Sequence, residues 1–205
     1  ISLQCMIMML FKKNNSIYNF FSYIFSPLLA IFVISLLIPF LIFIALLVIL
    51  IDGRPIFFRS VRSGYKGNSF VLFKFRTMKD TNLDDEKRIT KLGKLLRRSS
   101  LDELPQLINI LKGEMVFVGP RPLPLEVLLK DKVKNSFKKR SSVKPGLTGL
   151  AQVFSKGTPR NFREKLKYDL IYIKKKSLVL DIIIIFMTFK VLQRRFKNNK
   201  SGKSL

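Results

Sequence analysis

Two adjacent carboxylates, Asp102 and Glu103, stand in the run Ser99-Ser100-Leu101-Asp102-Glu103-Leu104-Pro105-Gln106-Leu107, with Arg97 and Arg98 immediately before it. Paired carboxylates beside arginines suit phosphoryl chemistry: one oxygen attacks phosphorus while the other acid holds a hard divalent cation that neutralises the phosphates. Arg121, in Gly119-Pro120-Arg121-Pro122, adds to this. Prolines on both sides stiffen the backbone, so a bidentate guanidinium can be aimed at phosphate with little entropy left to lose. Each feature also has a plainer reading. Ser100 and Glu103 have the spacing of a helix capping box, and Arg121 alone is equally a surface arginine in a proline turn. Pro105 counts against the capping box, because it would fall beyond the first turn, where its missing N–H matters. A helix start nearer Asp102 puts both acids at the positive helix end, where Asp102 is expected to stay ionised and a phosphate to bind.

The surroundings make these acids conspicuous. The chain of 205 residues has 38 Lys and Arg against 13 Asp and Glu, a formal charge of +25, and no histidine. General acid/base catalysis by imidazole is therefore excluded, leaving carboxylates, Lys, Tyr, a metal or the single Cys5. One cysteine forms no intrachain disulfide, which fits a cytosolic location for the polar part. A competing class is a non-catalytic, membrane-anchored basic module that binds anionic lipid or nucleic acid through charge. It accounts for the charge and the apolar segment, but not for the acidic pair or the proline-clamped arginine.

The positioning elements begin with an apolar segment. No charged side chain occurs from Asn14 to Ile51, and Ser35 is the one polar residue between Pro27 and Ile51. As helix, that run of 25 residues rises roughly 37 Å, enough to cross a hydrocarbon layer of about 30 Å. Pro39 lies inside it and predicts a kink or break. Lys12 and Lys13 precede the run and every other cation follows it, so positive-inside logic places both ends on the cytoplasmic side. A helix that enters, breaks at Pro39 and returns satisfies this; a straight span is the alternative.

Beyond Asp52 the composition is that of a basic domain. Ile56-Phe57-Phe58 and Phe70 to Phe75, separated by Gly64-Tyr65-Lys66-Gly67-Asn68, predict a β-hairpin. Asp80 to Arg88 reads as a solvated loop, and Ile89 to Arg98 as a short amphipathic helix. Leu104, Leu107, Ile108 and Leu111 at helical spacing, with Gly113 as the stop, predict a helix after the acids. Asn161 to Lys176 reads as a charged helix, and Ser177 to Leu192 as an interfacial helix too interrupted by Asp181 and Lys190 to span. The end, Arg194 to Lys203, reads as a solvated basic run facing anionic headgroups rather than nucleic acid.

Taken in order, five blocks carry a resemblance: Lys74-Phe75-Arg76-Thr77-Met78, Ser100 to Leu107, Leu111-Lys112-Gly113-Glu114-Met115, Val118-Gly119-Pro120-Arg121-Pro122 and Lys144-Pro145-Gly146-Leu147-Thr148-Gly149-Leu150-Ala151-Gln152-Val153. The chain resembles the bacterial sugar transferases, the small monotopic phosphoglycosyl transferases, over roughly Pro39 to Leu192. The resemblance implies transfer of a sugar 1-phosphate from a UDP-sugar to polyprenyl (undecaprenyl) phosphate, giving a polyprenyl diphosphate sugar and UMP. This would be the first membrane step of glycoconjugate assembly. It further implies Asp102 as nucleophile, a covalent aspartyl phosphosugar, Glu103 as ligand of Mg²⁺, and Lys74, Arg97 and Arg121 as phosphate-binding residues. Asp169 and Tyr172 resemble a family pair of structural or site-proximal role, and Pro39 matches the proline at which the family's re-entrant helix breaks. Ile38 stands where serine is common beside that proline, leaving Ser35, one turn earlier, to satisfy the freed carbonyl.

The expected architecture is α+β: an N-terminal segment (1–15), a re-entrant membrane helix (16–51), a compact helix-rich catalytic domain with a small hairpin (52–192), and a basic tail (193–205). The expected partners are the UDP-sugar, the polyprenyl phosphate and membrane lipids, with no nucleic acid. The expected location is the bacterial inner membrane, with the catalytic domain on the cytoplasmic face.

Overall fold

A computed structural model describes residues 15–81, 84–125, 138–154 and 162–198. Cys5, Lys12, Lys13, most of the tail and the stretch after Phe154 lie outside the described residues. The α+β class holds: helices dominate, with two small two-stranded sheets.

Helix α1 spans Asn15–Asp52. Its residues pack on the domain from one end to the other. Near the start, Tyr18 Oη lies 3.2 Å from Tyr172 Oη, and Tyr23 Oη accepts from the Lys144 amide at 2.9 Å. In the middle, Ala30, Val33, Ile34 and Leu37 join a core cluster with Phe70, Leu72, Leu107, Ile110 and Met115. Further on, Leu41, Ile44 and Val48 pack with Phe75, Leu92 and Leu96, and Asp52 Oδ2 accepts from Thr90 Oγ1 at 2.9 Å. The opposite face stays bare, with Phe20, Phe32, Phe43 and Leu50 all more than half exposed. By length and composition Tyr18–Asp52, with a mean hydropathy of 3.3, is apolar enough to cross a membrane.

The break expected at Pro39 is not an interruption of the helix, which runs through both Pro27 and Pro39. Residues on either side of Pro39 are held by separate core clusters, and this packing outweighs one missing backbone hydrogen bond. Nor does Ser35 serve the carbonyl that Pro39 frees. Its hydroxyl donates to the Ile31 carbonyl at 2.9 Å, a back-bond within the preceding turn.

The hairpin forms as expected. Strand β1 (Phe57–Ser63) pairs antiparallel with β2 (Ser69–Phe75), Phe57 opposite Phe75 and Ser63 opposite Ser69. The segment read as a solvated loop is more ordered than expected. A short helix α2 (Asp85–Arg88) forms there, the Lys79 amide donates to the Arg88 carbonyl at 2.9 Å, and Met78 bridges Ile89. Helix α3 (Lys91–Ser99) is capped by Thr90, whose Oγ1 accepts from the Gly93 amide at 2.8 Å. A 3-10 turn (Leu101–Glu103) follows, then helix α4 (Gln106–Leu111), with Pro105 as its cap residue and Gly113 stopping the chain at φ 72°. The helix thus starts after the acids rather than at them.

Asn109 on α4 is fully buried and locks the hairpin to the helix. Its Oδ1 accepts from the Phe73 amide at 3.1 Å, and its Nδ2 donates to the Val71 carbonyl and to Glu114 Oε2, each at 2.7 Å. Asn109→Ala strands all three partners, and an expected loss of about 2–4 kcal/mol is measurable by denaturant unfolding.

Two short strands, β3 (Val116–Val118) and β4 (Gly146–Thr148), pair in parallel and bring the Pro-Arg-Pro loop beside Lys144-Pro145-Gly146. The contact is backbone against backbone: a Cβ on Gly146 would lie 2.0 Å from the Gly119 nitrogen, and one on Gly149 2.1 Å from the Gly119 carbonyl oxygen. Helices α5 (Leu150–Phe154), α6 (Phe162–Lys175) and α7 (Leu178–Asn198) complete the domain. Val118, Leu150, Tyr172, Leu180 and Ile184 form the third core cluster. Helix α7 continues past Leu192, so the basic tail is helical as far as Asn198, with residues 193–196 exposed to solvent as expected.

Asp181, read from sequence only as an interruption, accepts from Tyr172 at 2.9 Å and from Tyr18, and so ties the start of α1 to α7. Burial pushes its carboxyl up to about 6, against the two tyrosine hydroxyls and Lys176, which lower it. A carboxyl raised in the fold favours its protonated form. The stability it gives is therefore complete below the ordinary aspartate value of 3.8 and lost as pH rises through about 6. Asp181→Asn is expected to flatten that slope in thermal melts between pH 4 and pH 6.

Candidate active site

The two acids are placed by the 3-10 turn and by what precedes it. Ser100 adopts left-handed backbone angles (φ 56°, ψ 18°) and makes no side-chain cap, which removes the capping-box reading. Asp102 is buried at 6 % exposure. Lys74 arrives from β2, on the same strand face as buried Phe70 and Leu72. Its Nζ lies 2.7 Å from Glu103 Oε1 and 3.6 Å from Asp102 Oδ2.

Arg121 grips Glu103 through both nitrogens, Nη2 to Oε1 at 2.5 Å and Nη1 to Oε2 at 3.3 Å. Sequence reasoning had put Lys74 and Arg121 on phosphate; in this arrangement both pair with Glu103. Arg97, on α3, donates through Nε to Thr77 Oγ1 at 2.8 Å. All five residues line one cavity of about 1570 Å³.

The carboxylates differ in environment. Burial pushes Glu103 up, but Arg121 and Lys74 outweigh it and hold the carboxyl near 2. Asp102 goes the other way. Burial raises it and the neighbouring Glu103 charge adds to this, opposed by Lys74, Arg97 and Arg121. The helix end expected to act on Asp102 is not there, because α4 begins four residues later; burial is the largest influence on its carboxyl and raises it.

Arg140 escaped the sequence reading. It is buried, its Nε donates to Asp169 Oδ2 at 2.6 Å, and its Nη2 donates to the Arg121 carbonyl, so it braces the Pro-Arg-Pro loop from behind. Lying in a lysine-rich stretch without periodicity, it carries no signal that separates it from its neighbours. Asp169 and Tyr172, expected as a pair, part company: Asp169 holds Arg140, while Tyr172 donates to Asp181 and the Val118 carbonyl, each at 2.9 Å.

This arrangement can offer a dehydrated carboxylate to a phosphorus, with cations ranged around it. Comparison with known proteins agrees in class. The chain matches the bacterial sugar transferase family over residues 17–195. It is 42% identical over 144 residues to the uncharacterized sugar transferase EpsL of Bacillus subtilis (strain 168), covering 67% of this chain and 70% of that one. It is 42% identical over 177 residues to the UDP-glucose:undecaprenyl-phosphate glucose-1-phosphate transferase of Xanthomonas campestris pv. campestris, covering 80% of this chain and 37% of that one. It is also 39% identical over 160 residues to the galactosyl transferase CpsE of Streptococcus agalactiae serotype III (strain NEM316), covering 69% and 35%.

The chain belongs to the bacterial sugar transferases and is an enzyme of that class. It spans little more than a third of the length of the two relatives whose names state a sugar.

Proposed function

We propose that this enzyme transfers a sugar 1-phosphate from a UDP-sugar to polyprenyl phosphate, in two displacements at phosphorus. A carboxylate oxygen of Asp102 attacks the sugar-bearing phosphorus of the donor, and the bond to the bridging oxygen breaks, releasing UMP. An oxygen of the lipid phosphate then attacks the aspartyl phosphorus, breaks the Asp102–phosphorus bond and restores the carboxylate. The products are polyprenyl diphosphate sugar and UMP.

One observation carries this reading: of two adjacent acids in one cavity, Glu103 is held by two cations while Asp102 is buried and, among the described residues, has its one ion pair with Lys74 at 3.6 Å. A dehydrated, lightly paired carboxylate is the better nucleophile. Glu103 then keeps Arg121 and Lys74 aimed at the cavity, where they meet the donor phosphates.

The site also fits Mg²⁺. Among the described residues Glu103 Oε2 has only the 3.3 Å bond from Arg121, and Asp102 keeps an oxygen clear of Lys74, so each acid has an acceptor position left. Among the described residues no third acidic or thiol ligand joins them, which matches a cation that takes one or two carboxylates and completes its shell from water and phosphate. Bound there, it would neutralise charge on the donor diphosphate.

We infer further that the enzyme is monotopic and sits on the cytoplasmic face of the bacterial inner membrane; the placement of α1 supports the monotopic part. Both ends of α1 touch the same domain, at Tyr172 and at Thr90, as a helix lying along one leaflet would and a straight span leading away from the domain would not. Its bare face, and that of α7 with Leu178, Phe186 and Phe189 exposed, would sit among lipid tails.

The direct test is UMP release by purified enzyme in detergent with Mg²⁺, polyprenyl phosphate and a panel of UDP-sugars that includes glucose and galactose. Release that depends on the sugar nucleotide and the metal supports the reading. Well-folded enzyme that releases none with any donor overturns it.

A further inference from the structure

The last turns of α7 reach the wall of the cavity that holds Asp102 and Glu103. Arg98, on α3, donates through Nη2 to the Phe196 carbonyl at 2.6 Å, and its guanidinium lies over the Phe196 ring, 5.1 Å from the centroid. Phe196 falls one residue past the family match. With the turn docked in this way, Arg195 lines the same cavity as Asp102.

Several of the other cations that line that cavity are committed within the protein, Arg54 and Lys79 aside. Lys74 and Arg121 hold Glu103, Arg140 holds Asp169, and Arg76 donates to the carbonyls of Asp52, Gly53 and Arg54. Arg195 has no hydrogen-bond or ion-pair partner among the described residues, and its side chain is exposed. A free guanidinium on a cavity wall, anchored by its neighbour in sequence, is an anion site in search of its ligand.

The shape of the cavity wall tells the two phosphate-bearing substrates apart. Ile49 of α1 with Ile56 and Phe58 also line the cavity, and they continue into the bare apolar face of α1 at Leu46 and Leu50. A nucleotide sugar has nothing to lay on such a strip. A lipid phosphate has a long apolar tail with an anionic head, so the strip takes the tail while a guanidinium takes the head.

We propose that Arg195, positioned by the docking of Phe196 on Arg98, binds the phosphate of the lipid acceptor as it enters the catalytic cavity. This rests on the function proposed above. It replaces the reading of the basic end as a general attractor of headgroups with a specific contact made by one residue.

The test uses the full chain in neutral detergent free of anionic lipid, with KM measured separately for polyprenyl phosphate and for the UDP-sugar. Arg195→Gln is expected to raise the acceptor KM roughly tenfold, the size of one lost charge-assisted hydrogen bond, and to move the donor KM by less than about twofold. Phe196→Ala, which frees the docked turn, shifts the acceptor KM in the same direction. Arg194→Gln removes the same charge from a residue that does not line the cavity, and leaves both constants unchanged.

Equal effects of Arg195→Gln and Arg194→Gln, or an unchanged acceptor KM, overturn the proposal. A shift confined to the donor KM would reassign Arg195 to the nucleotide sugar and overturn it as well. The function itself is judged by the wild type: if that releases no UMP with donor and acceptor present, the wider reading fails and takes this one with it.

Discussion

Asp102→Asn is expected to abolish turnover while leaving the protein as stable as the wild type or more so. The substitution keeps the shape of the side chain and removes its charge. Asp102 is buried and its carboxyl is raised by dehydration, so its ionised form is a burden on the fold; neutral asparagine lifts that burden. An amide oxygen is a poor nucleophile toward phosphorus, and the loss should reach at least about a thousandfold in kcat. UMP release and a thermal melt on one preparation decide it. Lost activity with a Tm at or above the wild-type value is the expected pair. A variant that melts early would mean that Asp102 is structural, and one that still turns over that it is not the nucleophile.

Glu103→Gln is expected to differ from this by harming both properties. Glu103 is the shared counterion of Lys74, at 2.7 Å, and of Arg121, bound through both nitrogens. Removing its charge leaves two cations facing each other with only Asp102 nearby. Truncating one partner of a buried charge pair is strongly destabilising; with the Arg121 side chain 43 % exposed, about 2 kcal/mol is expected here. Activity should fall at least about a hundredfold, because Arg121 and Lys74 lose the anchor that aims them. Acid titration gives an independent check. A carboxyl held near 2 contributes stability that is complete above the ordinary glutamate value of 4.5 and lost as pH falls through about 2, and Glu103→Gln should lose that part of the acid limb. A variant with wild-type Tm and an unchanged acid limb would show that the ion pairs contribute nothing.

How much of this was legible in the sequence depended on the range over which each residue acts. The hairpin was readable because its alternation and its glycine-containing turn are local, and α3 and α4 because their apolar spacing is. The limits of α4 were not: Pro105 excludes an early start, but the intervening 3-10 turn has no signature of its own. Asn109 carries no local signal of its role, which is to satisfy the edge of a strand some 36 residues earlier in the chain. Strands β3 and β4 have three residues each, too short for any period, and their pairing rests on glycines that let two backbones touch.

The active site was legible as a set of residues but not as a set of partnerships. Asp102, Glu103, Lys74, Arg97 and Arg121 all line one cavity, as the motifs suggested. That Glu103 rather than phosphate holds Lys74 and Arg121 in this arrangement, and that Arg140 braces their loop, required distances. The break at Pro39 was inferred from proline's local effect, whereas the helix is held on both sides of it by core packing that only the folded chain provides.

A phosphosugar carried by Asp102 is central to the proposed reaction, and intact-mass measurement of the enzyme mixed with its UDP-sugar and Mg²⁺, without acceptor, tests for it most directly. The predicted result is a mass gain of one sugar phosphate, absent in Asp102→Asn and reversed when polyprenyl phosphate is added. A wild-type enzyme that turns over with both substrates but never gains mass, or an Asp102→Asn variant that gains it equally, would contradict the account.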